Sequence, residues 1–283
     1  MCKRPGKVGP LARRCWSALL CLTLIAGWSA RVGAEERYSI WQDYADRFIT
    51  EQGRVVDTGN NNVSHTEGQG WAMLFAEAFN DRARFRALWT WTDANLDVLD
   101  SGLLAWRYQP DQTPPVQDLN NASDGDLLIA WALHRAACKW RVPEYERVSI
   151  RLRQAIRRHL IRDFGGYTLL LPARNGFVRD QSVTVNLSYW VMPALREFAE
   201  VDPNGPWRRL LLDGERLLRD ARFGDHDLPP DWLTVHQDGR LQVAEDWPPR
   251  FGFEAIRVPL YVVWAGRQSD SIMDPIRAYW QSP

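Results

Sequence analysis

Ser64-His65-Thr66-Glu67-Gly68-Gln69-Gly70-Trp71-Ala72-Met73 is the stretch in which a polar run turns into an apolar one. Asn60, Asn61 and Asn62 lead into it, and residues 71–79 lead out with Glu77 as their one charged side chain. A run of this length without a wet face predicts a helix buried on all sides. Glu67 then stands at its mouth. The same pattern returns at Ala122-Ser123-Asp124-Gly125-Asp126 and at Phe251-Gly252-Phe253-Glu254-Ala255, each ahead of an apolar run.

Outward from these stretches the chain alternates. Residues 38–52, 82–97, 144–163, 206–220 and 271–280 carry apolar side chains at spacings of three and four and charges between them, the pattern of a helix with one wet face. Residues 66–79, 124–140, 186–199 and 254–266 are apolar nearly all round, with kinks expected at Pro193 and Pro259. Helices that alternate between one wet face and none predict an all-α, double-layered (α/α) barrel. The ends of its inner helices would surround a central cleft. Three long connections, 100–122, 164–185 and 222–253, interrupt the alternation, and long structured loops are often functional. Residues 103–107 and 166–171 read as short strands.

The first 34 residues read as a secretory signal and are set apart from the fold. Lys3, Arg4, Lys7, Arg13 and Arg14 precede an apolar core over residues 18–28, and Val32-Gly33-Ala34 offers small residues for cleavage. Arg13-Arg14 leaves twin-arginine export open beside the general route. Residues 35–283 then form one catalytic domain, exported to the periplasm or secreted, with no membrane anchor after cleavage. Without the leader, 29 basic residues face 35 acidic ones, which argues against a nucleic-acid partner. Three of the four cysteines lie in the leader, so Cys138 reads as a buried thiol. The five histidines show no ligand spacing, so no metal site is expected. Thirteen tryptophans remain, a surplus that suits sugar binding, because an indole face stacks on a pyranose while its N–H takes a hydrogen bond.

Each acid has a structural reading as well. Ser64-x-x-Glu67 is a capping-box pattern, Asp124 and still more Asp126 suit a helix first turn, and Glu254 can pair with Arg257 one turn on. Three acids at three inner-helix mouths nonetheless match what glycoside hydrolysis needs. One carboxyl group protonates the leaving oxygen, and in inverting enzymes another, about 6.5–9.5 Å away, activates water. A proton donor at a helix N-terminus must be desolvated to keep its proton, and Trp71 and Trp106 are the candidates for that task.

The three motifs resemble glycoside hydrolase family 8: Ser-x-x-Glu-Gly-Gln-Gly-x-x-Met at 64–73, Ala-Ser-Asp-Gly-Asp-x-x-Ile-Ala at 122–130, and Arg-Phe-Gly-Phe-Glu-Ala-Ile-Arg-Val-Pro-Leu at 250–260. The branch they resemble most is the secreted endoglucanases that accompany bacterial cellulose synthases. The resemblance implies an (α/α)6 barrel and an inverting endo-1,4-β-glucanase, a cellulase that needs no metal or cofactor. A β-glucan chain would be its substrate and the cellulose synthase complex a candidate partner. It makes Glu67 the general acid, Glu254 the general base where the family has aspartate, and Asp124 the residue that distorts the sugar at the cleavage point. Trp106, Arg257, Tyr189, Trp190 and Gln69 become substrate-binding positions. Nine helices where the family has twelve imply a ring incomplete at its C-terminal end. Two other readings stay open: the same fold acting on xylan, mixed-linkage glucan or chitosan, and a glucan-binding protein weakened or disabled by Glu254 and the missing helices.

Overall fold

The computed structural model describes residues 38–282, so the expected leader lies outside the described residues. The first helix, α1, covers residues 38–48. A two-residue strand β1 (Ser64–His65) leads directly into α2 (Thr66–Ala78), followed by α3 (Arg82–Leu96), strand β2 (Arg107–Tyr108), α4 (Ser123–Trp140) and α5 (Pro143–His159). Strands β3 (Ile161–Phe164), β4 (Tyr167–Leu170), β5 (Val178–Arg179) and β6 (Ser182–Val185) come next. Then follow a 3-10 turn (Leu187–Tyr189), α6 (Met192–Val201) and α7 (Trp207–Asp220). Strands β7 (Leu233–His236) and β8 (Leu241–Val243), then α8 (Arg257–Trp264) and α9 (Asp274–Gln281), complete the described chain.

The alternation of wet and dry helices is realised as two layers. Residues 123–134 of α4 are all buried, and in α2 the buried positions run on nearly every side. Around them α3 buries Phe85, Leu88, Trp89, Thr92 and Leu96, and α5 buries Tyr145, Ser149, Leu152 and Ile156. Both are single stripes at three- and four-residue spacing, so these helices form the outer layer. Two glycines set how closely the inner pair can lie. A Cβ on Gly70 of α2 would fall 2.6 Å from Leu128 Cβ, and one on Gly125 of α4 would fall 2.1 Å from Thr66 Oγ1. Any side chain larger than hydrogen would push the two N-terminal ends apart.

Several expectations are corrected. No kink occurs at Pro193, because the expected helix over 186–199 splits into the 3-10 turn and α6, with the proline in the first turn of α6. Pro259 likewise falls in the first turn of α8, where its missing N–H breaks no helical bond. The helix expected from 254 starts at Arg257, which leaves Glu254 in the turn before it. Ser64 and Glu67 form no capping box. His65 is the N-cap of α2, and the Ser64 hydroxyl donates to the Val55 carbonyl and accepts from Arg54 Nε. Cys138 is half-buried rather than buried, with its Sγ 3.9 Å from His134 Nε2. The strand expected over 166–171 is β4, paired with β3, whereas residues 103–105 are buried coil. The sequence did not announce the four-stranded antiparallel sheet, ordered β5-β6-β7-β8, which the two later connections build. Finally, α8 is apolar all round, yet Leu260, Val263 and Trp264 are exposed, as is Ile256 just before it.

Substitution Gly70→Ala is expected to destabilise the protein by about 1–3 kcal/mol, the usual cost of overpacking, read as a lower unfolding midpoint in urea. An unchanged midpoint would mean that α2 and α4 have room to separate.

Candidate active site

The close approach of α2 and α4 brings two of the acids together. Glu67 lies in the first turn of α2 and Asp124 in the first turn of α4. Asp124 is buried, and its Oδ1 accepts from the Gly125 N–H at 2.8 Å. Asp126, two residues further on and so on the opposite side of α4, faces elsewhere. It accepts from Leu104 N at 2.9 Å and from Asn121 Nδ2 at 2.8 Å, and so holds the loop that presents Trp106.

The third acid arrives from the far end of the chain. The turn that carries Glu254 is pinned by buried Asp231, whose Oδ1 accepts from Gly252 N at 2.8 Å and Ala255 N at 2.9 Å. Glu254 Oε2 accepts from Asn186 Nδ2 at 2.9 Å and from the Ser188 hydroxyl at 3.4 Å. Asn186 is itself held: its Oδ1 accepts from Ser188 N at 3.0 Å and Ser188 Oγ at 2.7 Å.

All three acids meet on Arg257, the first residue of α8. Its Nη1 donates to Glu67 Oε1 and, at 3.0 Å, to Asp124 Oδ2, while Nη2 donates to Glu254 Oε2. The Tyr189 ring lies 5.5 Å from the guanidinium carbon. Three carboxylates around one cation leave the site acidic. Burial, and then the neighbouring Glu67 charge, push Asp124 up to about 7 against the pull of Arg257. Burial alone would lower the Arg257 value, but Asp124, Glu67 and Glu254 outweigh it and hold the guanidinium charged. Tyr189 and Tyr261 are both raised, first by burial and next by the Asp124 charge.

Aromatic side chains flank the acids. Half-buried Trp106 stacks on His65 at 5.7 Å and 13°, and its Nε1 donates to Asp118 at 2.7 Å. Trp71 stacks on Tyr261 at 6.1 Å and 4°. A cavity of about 280 Å³ opens beside Glu67, with Tyr44, Phe48 and Trp71 in its wall. Two larger cavities, about 570 and 520 Å³, border His134 in the second half of α4 and hold none of the three acids. Among the described residues, no group of three or more His, Cys, Asp or Glu side chains is placed to hold a metal ion.

Of the residues singled out from the sequence, Glu67, Asp124, Glu254, Arg257 and Tyr189 come together, and Trp106 stacks on His65, two residues before Glu67. Two do not belong there. Gln69 is fully buried and ties backbone to backbone: it accepts from Val55 N at 2.6 Å and donates to Gly53 O, Leu88 O and Thr92 Oγ1. Trp190 is core, its Nε1 donating to Leu210 O at 3.0 Å and its ring against Gly214. Neither presents a group to a substrate. Sequence reasoning missed Asn186, Asp231 and Tyr261. Asn186, two residues before Ser188, had a signal as a capping residue, whereas Asp231 sits in an irregular connection with no pattern to mark it.

The family model of Glycosyl hydrolases family 8 matches residues 8–281. The chain belongs to this family. An endoglucanase of Cellulomonas uda is 43% identical over 242 residues, which cover 86% of this chain and 67% of that one. Among solved structures, a family 8 endo-β-1,4-glucanase from an Achatina fulica gut metagenomic library superposes with a TM-score of 0.84 at 44% identity. The match covers 86% of this chain and 77% of that one. The endo-β-1,4-glucanase CMCax of Acetobacter xylinum superposes with a TM-score of 0.82 at 41% identity, covering 85% and 76%. The two-layered helical arrangement is thus the (α/α)6 barrel fold of the family 8 glycosidases.

The buried acids give stability a pH dependence. Burial raises Asp126 from 3.8 to about 7, so between those values the folded state holds a proton that the unfolded chain has released. Its stabilising contribution is therefore complete below 3.8 and is lost as pH rises through about 7. Asp126→Asn is expected to flatten that decline, measured as the unfolding midpoint against pH. An equally steep profile in the variant would assign the slope to other groups.

Proposed function

We infer that this chain is an endo-1,4-β-glucanase, a cellulase that hydrolyses internal bonds of β-1,4-glucan by an inverting acid–base mechanism. The observation that carries this reading is the convergence of Glu67, Asp124 and Glu254 on Arg257, with the Tyr189 ring 5.5 Å from the same guanidinium. Glu67, partly exposed at the mouth of α2, acts as general acid toward the leaving oxygen. Glu254 acts as general base on the attacking water. Inverting pairs stand about 6.5–9.5 Å apart so that a water fits between base and sugar, whereas retaining pairs are closer. Asp124 lies deepest of the three and holds the sugar ring at the cleavage point. Its raised pKa lets it donate as well as accept a hydrogen bond below about 7.

Glutamate in place of aspartate at 254 is compatible with a working base. Its longer side chain stands on a turn rather than on α8, and Asn186 and Ser188 fix the extra reach. Oε2 takes every hydrogen bond described for this carboxylate, which leaves Oε1 to accept the proton of water. The leader over residues 1–34 supports export to the periplasm or the medium. The motif resemblance makes a bacterial cellulose synthase the assembly beside which the enzyme works.

Glu67→Gln is expected to abolish release of reducing ends from carboxymethylcellulose while the protein still binds glucan. Glu254→Asp retracts the base and loses the Asn186 contact, so kcat falls on the order of 100-fold, the effect of a displacement near 1 Å. A faster Glu254→Asp enzyme would mean that the native base is misplaced. The first product from a soluble β-glucan should be the α-anomer, and a β-anomer in NMR of the early reaction would exclude inversion.

A further inference from the structure

A hollow of about 570 Å³ lies along α5, between the last turns of α4 and the end of α6. His134 on its wall is ten residues along α4 from Asp124, a rise of about 15 Å. The hollow and the acid cluster are therefore separate. Its volume falls in the range of small-molecule sites, about 300–1,000 Å³.

The charges around it are uneven. Arg141, Arg153 and Arg157 line it, against Glu146 and Asp202. Both acids are already engaged. One Glu146 oxygen accepts from Arg153 Nη2 at 2.9 Å, and the other lies 2.7 Å from His134 Nδ1. Asp202 Oδ2 accepts from Trp207 Nε1 at 2.9 Å. Among the described residues, the Arg141 and Arg157 guanidinium groups make no hydrogen bond or ion pair, although both line the same hollow.

Arg153 is the deciding group. It is only 6% exposed, and among the described residues its Nε has no hydrogen-bond partner. The Phe198 ring, 5.3 Å from the guanidinium carbon, accounts for one face of it. Burial holds its pKa below the ordinary arginine value, and Glu146 and Asp202 offset only part of that effect. A buried donor without an acceptor costs stability. A structural ion pair with Glu146 leaves that donor idle, whereas an anion in the hollow engages it. The remaining wall includes Ala137, Pro143, Ile150 and Val201. A bare inorganic anion gains nothing from these side chains, but a carbon body buries apolar surface against them.

We propose that this hollow is a second ligand site, built for a small organic oxyanion. The acid group, a carboxylate or a phosphate monoester, sits among Arg141, Arg153 and Arg157, and the carbon body lies along Ile150 and Val201. Guanidinium groups suit such a head because their planar fork matches two oxygens of one acid group. The site goes beyond the glucanase reading and does not rest on it.

Isothermal titration calorimetry of the full-length protein with phenyl phosphate, benzoate and inorganic phosphate tests the proposal. At least one organic probe should bind once per chain with a millimolar or tighter Kd, and the tighter of the two identifies the acid group. Inorganic phosphate should bind at least about 5-fold more weakly, for want of a carbon body. Arg141 and Arg157 are exposed, so their replacement leaves the core intact. Arg141→Gln and Arg157→Gln should each weaken the organic probe by about 10-fold, the scale of one charge-assisted hydrogen bond. Arg158→Gln, beside Arg157 but outside the hollow, should leave the affinity unchanged. Hydroxyethylcellulose, a neutral glucan, should not displace the probe. Saturable binding of neither organic probe overturns the proposal, as does inorganic phosphate binding equally well. Unchanged affinity in Arg141→Gln and Arg157→Gln, or an equal loss in Arg158→Gln, does the same. Displacement by hydroxyethylcellulose would assign the probe to the glucan cleft and remove the second site.

Discussion

The Arg257 guanidinium is the contact on which the rest of the site depends. It gathers carboxylates that lie 190 and 133 residues away in the chain, together with one three residues away. Without a cation among them, three acids this close and this poorly hydrated would repel one another and take up protons. Arginine suits the position because its planar fork offers separate nitrogens to separate partners and keeps its charge when buried, whereas lysine offers a single point. The cost of burying the cation is offset only while all three partners are present. The charge balance of the site and the packing of α8 against the mouths of α2 and α4 are therefore one constraint.

That packing is prepared elsewhere. Gly70 and Gly125 each sit where a neighbouring helix leaves no space for a Cβ, so the N-terminal ends of α2 and α4 meet and their acids with them. On the other side, Asp231 ties the sheet to the turn before α8 and so couples Glu254 to the loops. The barrel helices contribute Glu67 and Asp124 from rigid first turns. Glu254 comes from a turn before α8, closed by the Ile256 N–H donating to the Gly252 carbonyl at 3.0 Å, and Asp231, Asn186 and Ser188 hold it in place. The acid side of the site is built by helix packing, and the base side by a polar network.

The exposed face of α8 is the unusual part of the described fold. An apolar pattern all round a helix signals burial on every side, yet Leu260, Val263 and Trp264 are solvent-facing while Val258, Tyr261 and Val262 are buried. Trp264 is not isolated, since it stacks on Trp71 at 5.7 Å and tilts against Trp131 at 5.0 Å. Trp264 of α8 thus links the aromatic rings of α2 and α4.

The sequence by itself determined the order of the helices, their extent apart from the 3-10 turn before α6, and their layer apart from the exposed face of α8. Those properties are written in periodicity, and a stripe against an all-round apolar run differs within a few residues of chain. It also determined that Glu67 and Asp124 open buried helices, because a polar-to-apolar switch is local. It could not separate Gln69 and Trp190 from the true cleft residues. Whether a side chain inside a motif faces the groove or the core depends on the neighbour that packs against it, and for these two the neighbours are the α3 and α7 backbones. Nor could it find Asp231 or Asn186, which belong to irregular connections whose partners lie far away in the chain. Only the tertiary structure decided which acids share an arginine, because that depends on how closely two glycines allow two helices to approach.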